Sequence, residues 1–375
     1  SGLFGAVFFL GVDSFALLFG VFGGVILTGL MMASFVRKAG IYTVPSFFEV
    51  RYRSRFIGVI AGLCVMLPTG LFALAELSII KIVGPMILGV SAEISLVVIF
   101  VVAMLIILPG GVRSMGWAQC GLAIVVVLGL IIPLVIVSMQ LTNLPIAQLT
   151  YGSLIDDIEA FKSVRSVAEV NAHEVWSGLF LDEKHAVKLP FLTGEAGLGA
   201  ASKFSLMVII ALGIASMPAL VMRAGVTSGV FQARKSYAWG AALIGLLILT
   251  LPAYGIFLRY MIFNPEMKIV LSNLPEWISV LDGAGFFQVS DLNGDGEILA
   301  EEILLSRDGA FVSFPFMVGL NGTMQSLCFA TIMAAALASF CARVMTFGKL
   351  FAFDLNIRKS EIESDVGGQA VMIWT

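Results

Sequence analysis

Asp291, Asn293, Asp295, Glu297 and Glu302 stand at positions 1, 3, 5, 7 and 12 of the stretch DLNGDGEILAEE, with Gly296 at position 6. That order of oxygen-bearing groups is the one a twelve-residue loop uses to wrap Ca2+, a hard cation. The glycine makes the sharp turn, position 7 gives its carbonyl and the last glutamate binds through both oxygens. Leu299 at position 9 leaves that corner to water. Only one such loop is present, and the segment before it, DGAGFFQVS, is a poor helix former. Two readings stand at this point. One is a structural calcium site of low affinity, roughly 10⁻⁴ to 10⁻³ M as in extracellular modules; the other is a surface loop of Asx turns that binds nothing.

The remaining ionisable groups sit in hydrocarbon-like surroundings. Glu76 lies in ALAELSII, with Lys81 five residues further on, about 140° around a helix and so not an i,i+4 partner. A charge in such a run is expensive in lipid, which makes Glu76 a candidate for a solute or ion pathway. Its alternative is a polar contact to a neighbouring helix. The only histidines, His173 and His185, have neither metal-ligand nor triad spacing, which argues against an enzyme. The four cysteines, Cys64, Cys120, Cys328 and Cys341, lie inside apolar runs and read as small packing residues. A net charge of −3 with no basic block gives a nucleic acid nothing to bind.

The elements that must hold these groups are membrane spans. Hydrophobic residues make up 59% of the chain against 13% charged, with a mean hydropathy of +1.01, far more apolar than a soluble chain of 375 residues requires. Seven stretches approach or exceed the roughly 20 apolar residues of a span: 15–36, 57–88, 94–109, 118–140, 204–222, 237–264 and 324–348. Residues 1–13 look like the rear half of another, and the opening SGLFGAVFFL, with neither Met nor a basic segment, is that of a chain cut within a longer protein. Arg37, Lys38, Arg51, Arg53, Arg55, Arg113, Arg223, Arg234, Lys235, Lys349, Arg358 and Lys359 all fall on one side of this alternation, which is the cytoplasmic side by the positive-inside rule. The acidic segments 142–203 and 265–323 then face outside, with Ser153 and Ser306 as exposed markers there and Ser54 inside. No charged ring or filter-like loop marks a channel. Pro68, Pro85, Pro133 and Pro218 fall inside their spans; for any one of them a packing kink is the plainer reading, while their repetition points to the broken helices of transporters.

Five stretches, GVDSFALLFG, AGIYTVPSFFEVRY, GGVRSMGWAQ, MPALVMRAGVTSGVFQARKS and CFATIMAAALAS, together resemble the sodium:solute symporter family, and its cation/acetate-symporter-like branch most. The resemblance implies an all-α integral membrane protein of the plasma (inner) membrane. It implies a partial LeuT-type bundle of inverted repeats, lacking the start of core helix 1 and core helices 9 and 10. Residues 1–141 would run from the end of core helix 1 through core helix 5, and 204–264 would be core helices 6 and 7. Residues 324–348 would be core helix 8, and 349–375 a cytoplasmic segment leading onward; 142–203 and 265–323 would be outer loops, the latter carrying the acidic stretch 291–302.

By the same resemblance, a coupling Na+ would sit against helix 8, where a hydroxyl pair of the family aligns with Ala338 and Ser339, leaving Ser339 as the side-chain ligand with Ala335 and Ala338 offering carbonyls. The alternative for Ser339 is a small residue at a helix contact. Asp13 resembles an aspartate at the outer end of helix 1, facing either the external vestibule or bulk solvent. Gln119, in the motif after Gly110 and Gly111, joins Glu76 and Asp13 as a solute-pathway candidate. The implied activity is sodium-coupled symport of a small organic solute, a monocarboxylate such as acetate first, in contact with membrane lipid. The alternative is the membrane input module of a sensor histidine kinase. Oligomeric state is not legible.

Overall fold

A computed structural model describes residues 2–39, 43–164, 185–186, 199–225, 227, 229–264, 269–270, 274–289, 291, 294–298 and 302–355. The expectation of a multi-pass helical membrane protein holds: five helical runs, Gly2–Lys38, Arg55–Leu88, Gly111–Thr142, Val230–Phe263 and Gly322–Ala352, are long and apolar enough to cross a bilayer. The first is not one straight rod. It comprises α1 (Gly2–Leu10), a tight turn at Gly11–Ser14, α2 (Phe15–Leu27), a π turn and α3 (Ala33–Ala39). Gly11 has φ 55°, a left-handed value that costs glycine nothing.

The other helices are punctuated by capping residues. Thr43 accepts a hydrogen bond from the Ser46 amide (3.3 Å) to start α4 (Val44–Tyr52). Gly89, at φ 64°, ends α5 (Arg55–Leu88), and Ser91 caps α6 (Ala92–Ile107). At 16 residues α6 is shorter than the other spans and matches the length of the apolar stretch 94–109 that marked it. Then come α7 (Gly111–Thr142), α8 (Ala147–Val164), α9 (Ala200–Ala215), α10 (Pro218–Gly225) and α11 (Val230–Phe263).

Three of the four prolines do not break their spans: α5 runs through Pro68 and Pro85, and α7 through Pro133. A lone proline deletes one ladder bond and a helix absorbs that. The break falls between α9 and α10, which are bent by 45°. Pro218 there is the first residue of a new helix, where its missing N–H costs nothing, and the Met217 carbonyl accepts from the Leu220 and Val221 amides (both 3.0 Å).

The described parts of the acidic segments hold regular elements. α8 fills part of the first. The second holds α12 (Glu276–Gly283), α13 (Gly309–Met317) and the strands β2 (Ile269–Val270), β3 (Phe287–Val289), β4 (Glu297–Ile298) and β5 (Ile303–Leu305); β5 pairs antiparallel with β3 on one side and with β1 (His185–Ala186) of the first segment on the other, and β2 pairs antiparallel with β4. Ser153 is exposed, but Ser306 is buried because its hydroxyl accepts from the Gly309 amide (3.0 Å) at the start of α13, so it cannot serve as a surface marker. The last long helix is α14 (Gly322–Lys349).

The chain divides into two compact units. One comprises Ser1–Phe22, Leu128–Ile210 and Leu243–Cys328. Its core is aromatic: Phe4 meets Tyr254, Phe311 and Phe314 edge-on, and a Cβ on Gly255 would stand 2.9 Å from the Val7 side chain, so α11 approaches α1 backbone to backbone. The other comprises Gly23–Val127, Ala211–Ala242 and Phe329–Thr375. Ile80, Ile99, Ala103 and Ile107 of α5 and α6 there enclose Leu337, Phe340 and Met345 of α14. A Cβ on Gly84 would fall 2.6 Å from that of Ser95, which is how closely α5 and α6 pack. Phe56, Leu67, Trp117 and Phe231 remain exposed, faces that water penalises and hydrocarbon does not.

Candidate functional site

The second unit gathers polar side chains around α14. Ser339 and Arg343 are four residues apart and so share a face of that helix, as Phe72 and Glu76 share a face of α5. The two faces meet. The Ser339 hydroxyl lies near the Glu76 carboxyl, and Arg343 acts on that carboxyl electrostatically. The Arg343 guanidinium lies over the Phe72 ring, 4.9 Å from its centroid, a cation–π contact. Its Nη1 is 3.7 Å from the Met217 sulfur, at the break between α9 and α10. Arg343 is 8% exposed and its Nε has no hydrogen-bond partner, an incomplete satisfaction that purely structural arginines seldom show.

Gln119 of α7 ties two more elements to this helix. Its Nε2 donates to the Ala338 carbonyl (2.8 Å), and its Oε1 accepts from Arg223 Nη2 of α10 (2.6 Å). The two partners, an acceptor and a donor, fix which way the amide points. Of the residues suggested by sequence, Glu76, Gln119, Ala338 and Ser339 are therefore brought together, whereas Ala335, on the same helix, is exposed. The Ala338 carbonyl is already engaged by an amide.

Asp13 belongs to the other unit. It is 1% exposed and ion-paired with Lys203 of α9, so it is neither a solvated helix-end carboxylate nor a free charge. In the acidic stretch, Asp291 accepts from the Gly294 amide (2.7 Å) through one oxygen and from the Gly296 amide (3.0 Å) through the other, while Asp295 accepts from the Glu297 amide (2.7 Å). Glu302 is 3% exposed. Asn293 and Leu299 lie outside the described residues. Among the described residues no group of three or more His, Cys, Asp or Glu converges as a metal site would, and the carboxylates of Asp291 and Asp295 face backbone amides.

The sequence reading passed over Arg343 and used Arg223 only for orientation. The signal was available, because Arg343 is an ionisable residue inside an apolar span and the rule that singled out Glu76 applies to it equally.

A model of the sodium:solute symporter family matches residues 1–279. The chain belongs to this family. Across 94% of its length it is also 23% identical to an uncharacterized symporter of Cupriavidus necator, and it spans 64% of that protein's length. The family is one of transporters rather than enzymes, and its members are multi-pass membrane proteins, in accord with the five spans.

Proposed function

We propose that the full-length protein is a secondary active transporter that couples Na+ to the symport of a small organic solute, with a short monocarboxylate such as acetate the first substrate to test. The framework we favour is the LeuT-type inverted repeat, in which the helices here numbered α5, α7, α10 and α14 surround the ligand sites. The observation that carries the reading is the meeting of Glu76 with Ser339 across α5 and α14. A carboxylate beside a hydroxyl supplies hard oxygen ligands to a cation where the family's second hydroxyl is replaced by Ala338. In this reading Ser339 and Glu76 hold the cation together with main-chain carbonyls of Ala335 and Ala338. The Ala338 carbonyl becomes available when Gln119 lets go, and Gln119 reports to Arg223. Asp13, held by Lys203, braces the solute route. Ca2+ at Asp291–Glu302, with Asn293 and the Glu297 carbonyl as further ligands, would be at most a structural brace.

The test is uptake of labelled acetate, propionate and pyruvate by the full-length protein in vesicles, with and without an inward sodium gradient. Gradient-dependent accumulation, lost in Glu76→Gln and right-shifted in sodium by Ser339→Ala, is the expected result. Uptake indifferent to sodium would remove the coupling, and no uptake of any carboxylate would remove the substrate class.

A further inference from the structure

Beside Gln119 lies a cavity of about 130 Å³ that no part of the sodium site uses. Two cations line it, Arg223 of α10 and Lys349 at the end of α14, together with Gln119 and Thr346. Among the described residues no acidic side chain lines it, and neither cation is paired with a carboxylate. One of the five guanidinium N–H groups of Arg223 goes to Gln119 Oε1. The Thr346 hydroxyl donates to the Ala342 carbonyl (2.8 Å) and so has no proton to offer a ligand. The donors left over belong to the two cations and to the second N–H of the Gln119 amide. The rest of the wall is apolar, including Val112, Met115, Met222 and Met345. Arg223 is exposed, so the cavity has a mouth at the surface.

Two like charges facing one partly enclosed space repel each other, and an anion between them relieves both. We infer that this cavity is a binding subsite for a short-chain carboxylate, its head held by Arg223 and Lys349 and its hydrocarbon tail by the methionine-lined wall. The inference rests on the carrier reading above and adds a second station for the solute. That station lies on the side that the Lys/Arg bias assigns to the cytoplasm. The volume admits an acid of a few carbons and no sugar or nucleotide, and the apolar wall favours an alkyl carboxylate over inorganic phosphate. The Arg223–Gln119–Ala338 chain makes the subsite a neighbour of the cation helix: an anion that takes the guanidinium from Gln119 loosens the amide that occupies the Ala338 carbonyl.

The experiment uses the full-length protein. Arg223→Gln keeps a donor for Gln119 but removes the charge, Lys349→Met keeps the stem, and Lys349→Arg keeps the charge. In proteoliposomes, release of labelled propionate from the side bearing Lys349 should need about tenfold more propionate for half-saturation in the first two variants. In Lys349→Met uptake from the opposite side should change less than about twofold, and Lys349→Arg should behave as wild type. Gly116→Leu, which fills the cavity and leaves both charges, should give the same one-sided defect. Folded variants with unchanged half-saturation on both sides overturn the subsite while leaving the carrier reading intact. If the wild type carries no carboxylate, the carrier reading fails and binding decides the subsite separately. Propionate, but not propionamide or phosphate, should raise the melting temperature of the detergent-purified wild type and not that of Arg223→Gln; no such charge-dependent stabilisation rejects it.

Discussion

Arg259 and Arg343 are both buried arginines on long apolar helices, one in each compact unit, and they are satisfied in opposite ways. Arg259, 1% exposed, donates from Nε to the Phe8 carbonyl (2.5 Å) and from Nη2 to the Phe9 carbonyl (3.0 Å), and it packs over the Phe8 ring. Those carbonyls belong to the last turn of α1, which has no intrahelical partners for them and carries the negative end of the helix dipole. Its charge is thus consumed in closing a helix end. Arg343 instead has a ring, a sulfur and the charge of a nearby carboxyl for company, and one nitrogen left without a partner. The contrast teaches how to sort intramembrane charge: a cation whose donors end on backbone carbonyls holds the fold, whereas one left partly unsatisfied beside a carboxyl and a helix break is available to a ligand.

If the sorting is right, the two units should respond differently to loss of charge. The largest effect is expected from Arg259→Met, which orphans the Phe8 and Phe9 carbonyls in a dry core and should cost about 3 kcal/mol or more. A melting curve of the detergent-solubilised protein should shift strongly downward, with Arg259→Lys in between, and transport per folded molecule should be nearly unchanged. A variant that melts normally but does not transport would place Arg259 with the ligand groups and break the comparison.

Glu76→Gln should do the reverse. The carboxyl is half-buried, so its removal should shift the stability by only about 1 kcal/mol, yet sodium-driven uptake should fall by at least about tenfold because a charged ligand oxygen is gone. Equal losses of stability and transport would demote Glu76 to a packing contact. Smaller again is Ser339→Ala, which deletes one neutral oxygen and leaves the carboxyl. The sodium concentration for half-maximal uptake should rise about threefold to tenfold, equivalent to one modest hydrogen-bond-sized interaction, with no change in melting.

How much of this was legible in the sequence follows from how local each signal is. Spans came from apolar run lengths, which depend on nothing but the chain itself: five of the seven stretches fall in helical runs long enough to cross a bilayer, 204–222 falls on the bent pair α9 and α10, and 94–109 falls on the 16-residue α6, displaced by two residues. Which of the prolines breaks its span was not legible, since that depends on the proline's position in the turn: Pro218 begins a helix, while Pro68, Pro85 and Pro133 sit inside one. Glu76 could be singled out from cost alone. Ser339 came from resemblance and Arg343 was open to the same cost argument, but that the three belong together was not legible, because they are over 260 residues apart and meet only where α5 packs on α14. The acidic stretch shows the converse limit. Calcium ligands were read from spacing, but spacing does not say whether an oxygen faces an ion or a backbone amide.

That stretch supplies the smallest and sharpest test. Asp291 spends both carboxylate oxygens on the Gly294 and Gly296 amides, so Asp291→Asn, which turns one oxygen into a donor, should lose one charge-assisted bond and about 1 kcal/mol of local stability. If these turns are all the loop does, the loss should be the same with and without calcium, and the wild-type melting curve should not move when calcium is added. If the loop closes on an ion, the wild type should gain RT ln(1 + [L]/Kd), about 1.4 kcal/mol at ten times the dissociation constant. That gain should vanish in Asp291→Asn and in Glu302→Gln while surviving in Leu299→Ala, which removes no oxygen. Either outcome bears on the comparison of the two units, because the loop belongs to the one in which charge is spent on backbone. A calcium-insensitive wild type would extend that pattern from Arg259 to Asp291, and a calcium-dependent one would show a ligand-facing charge where the pattern forbids it.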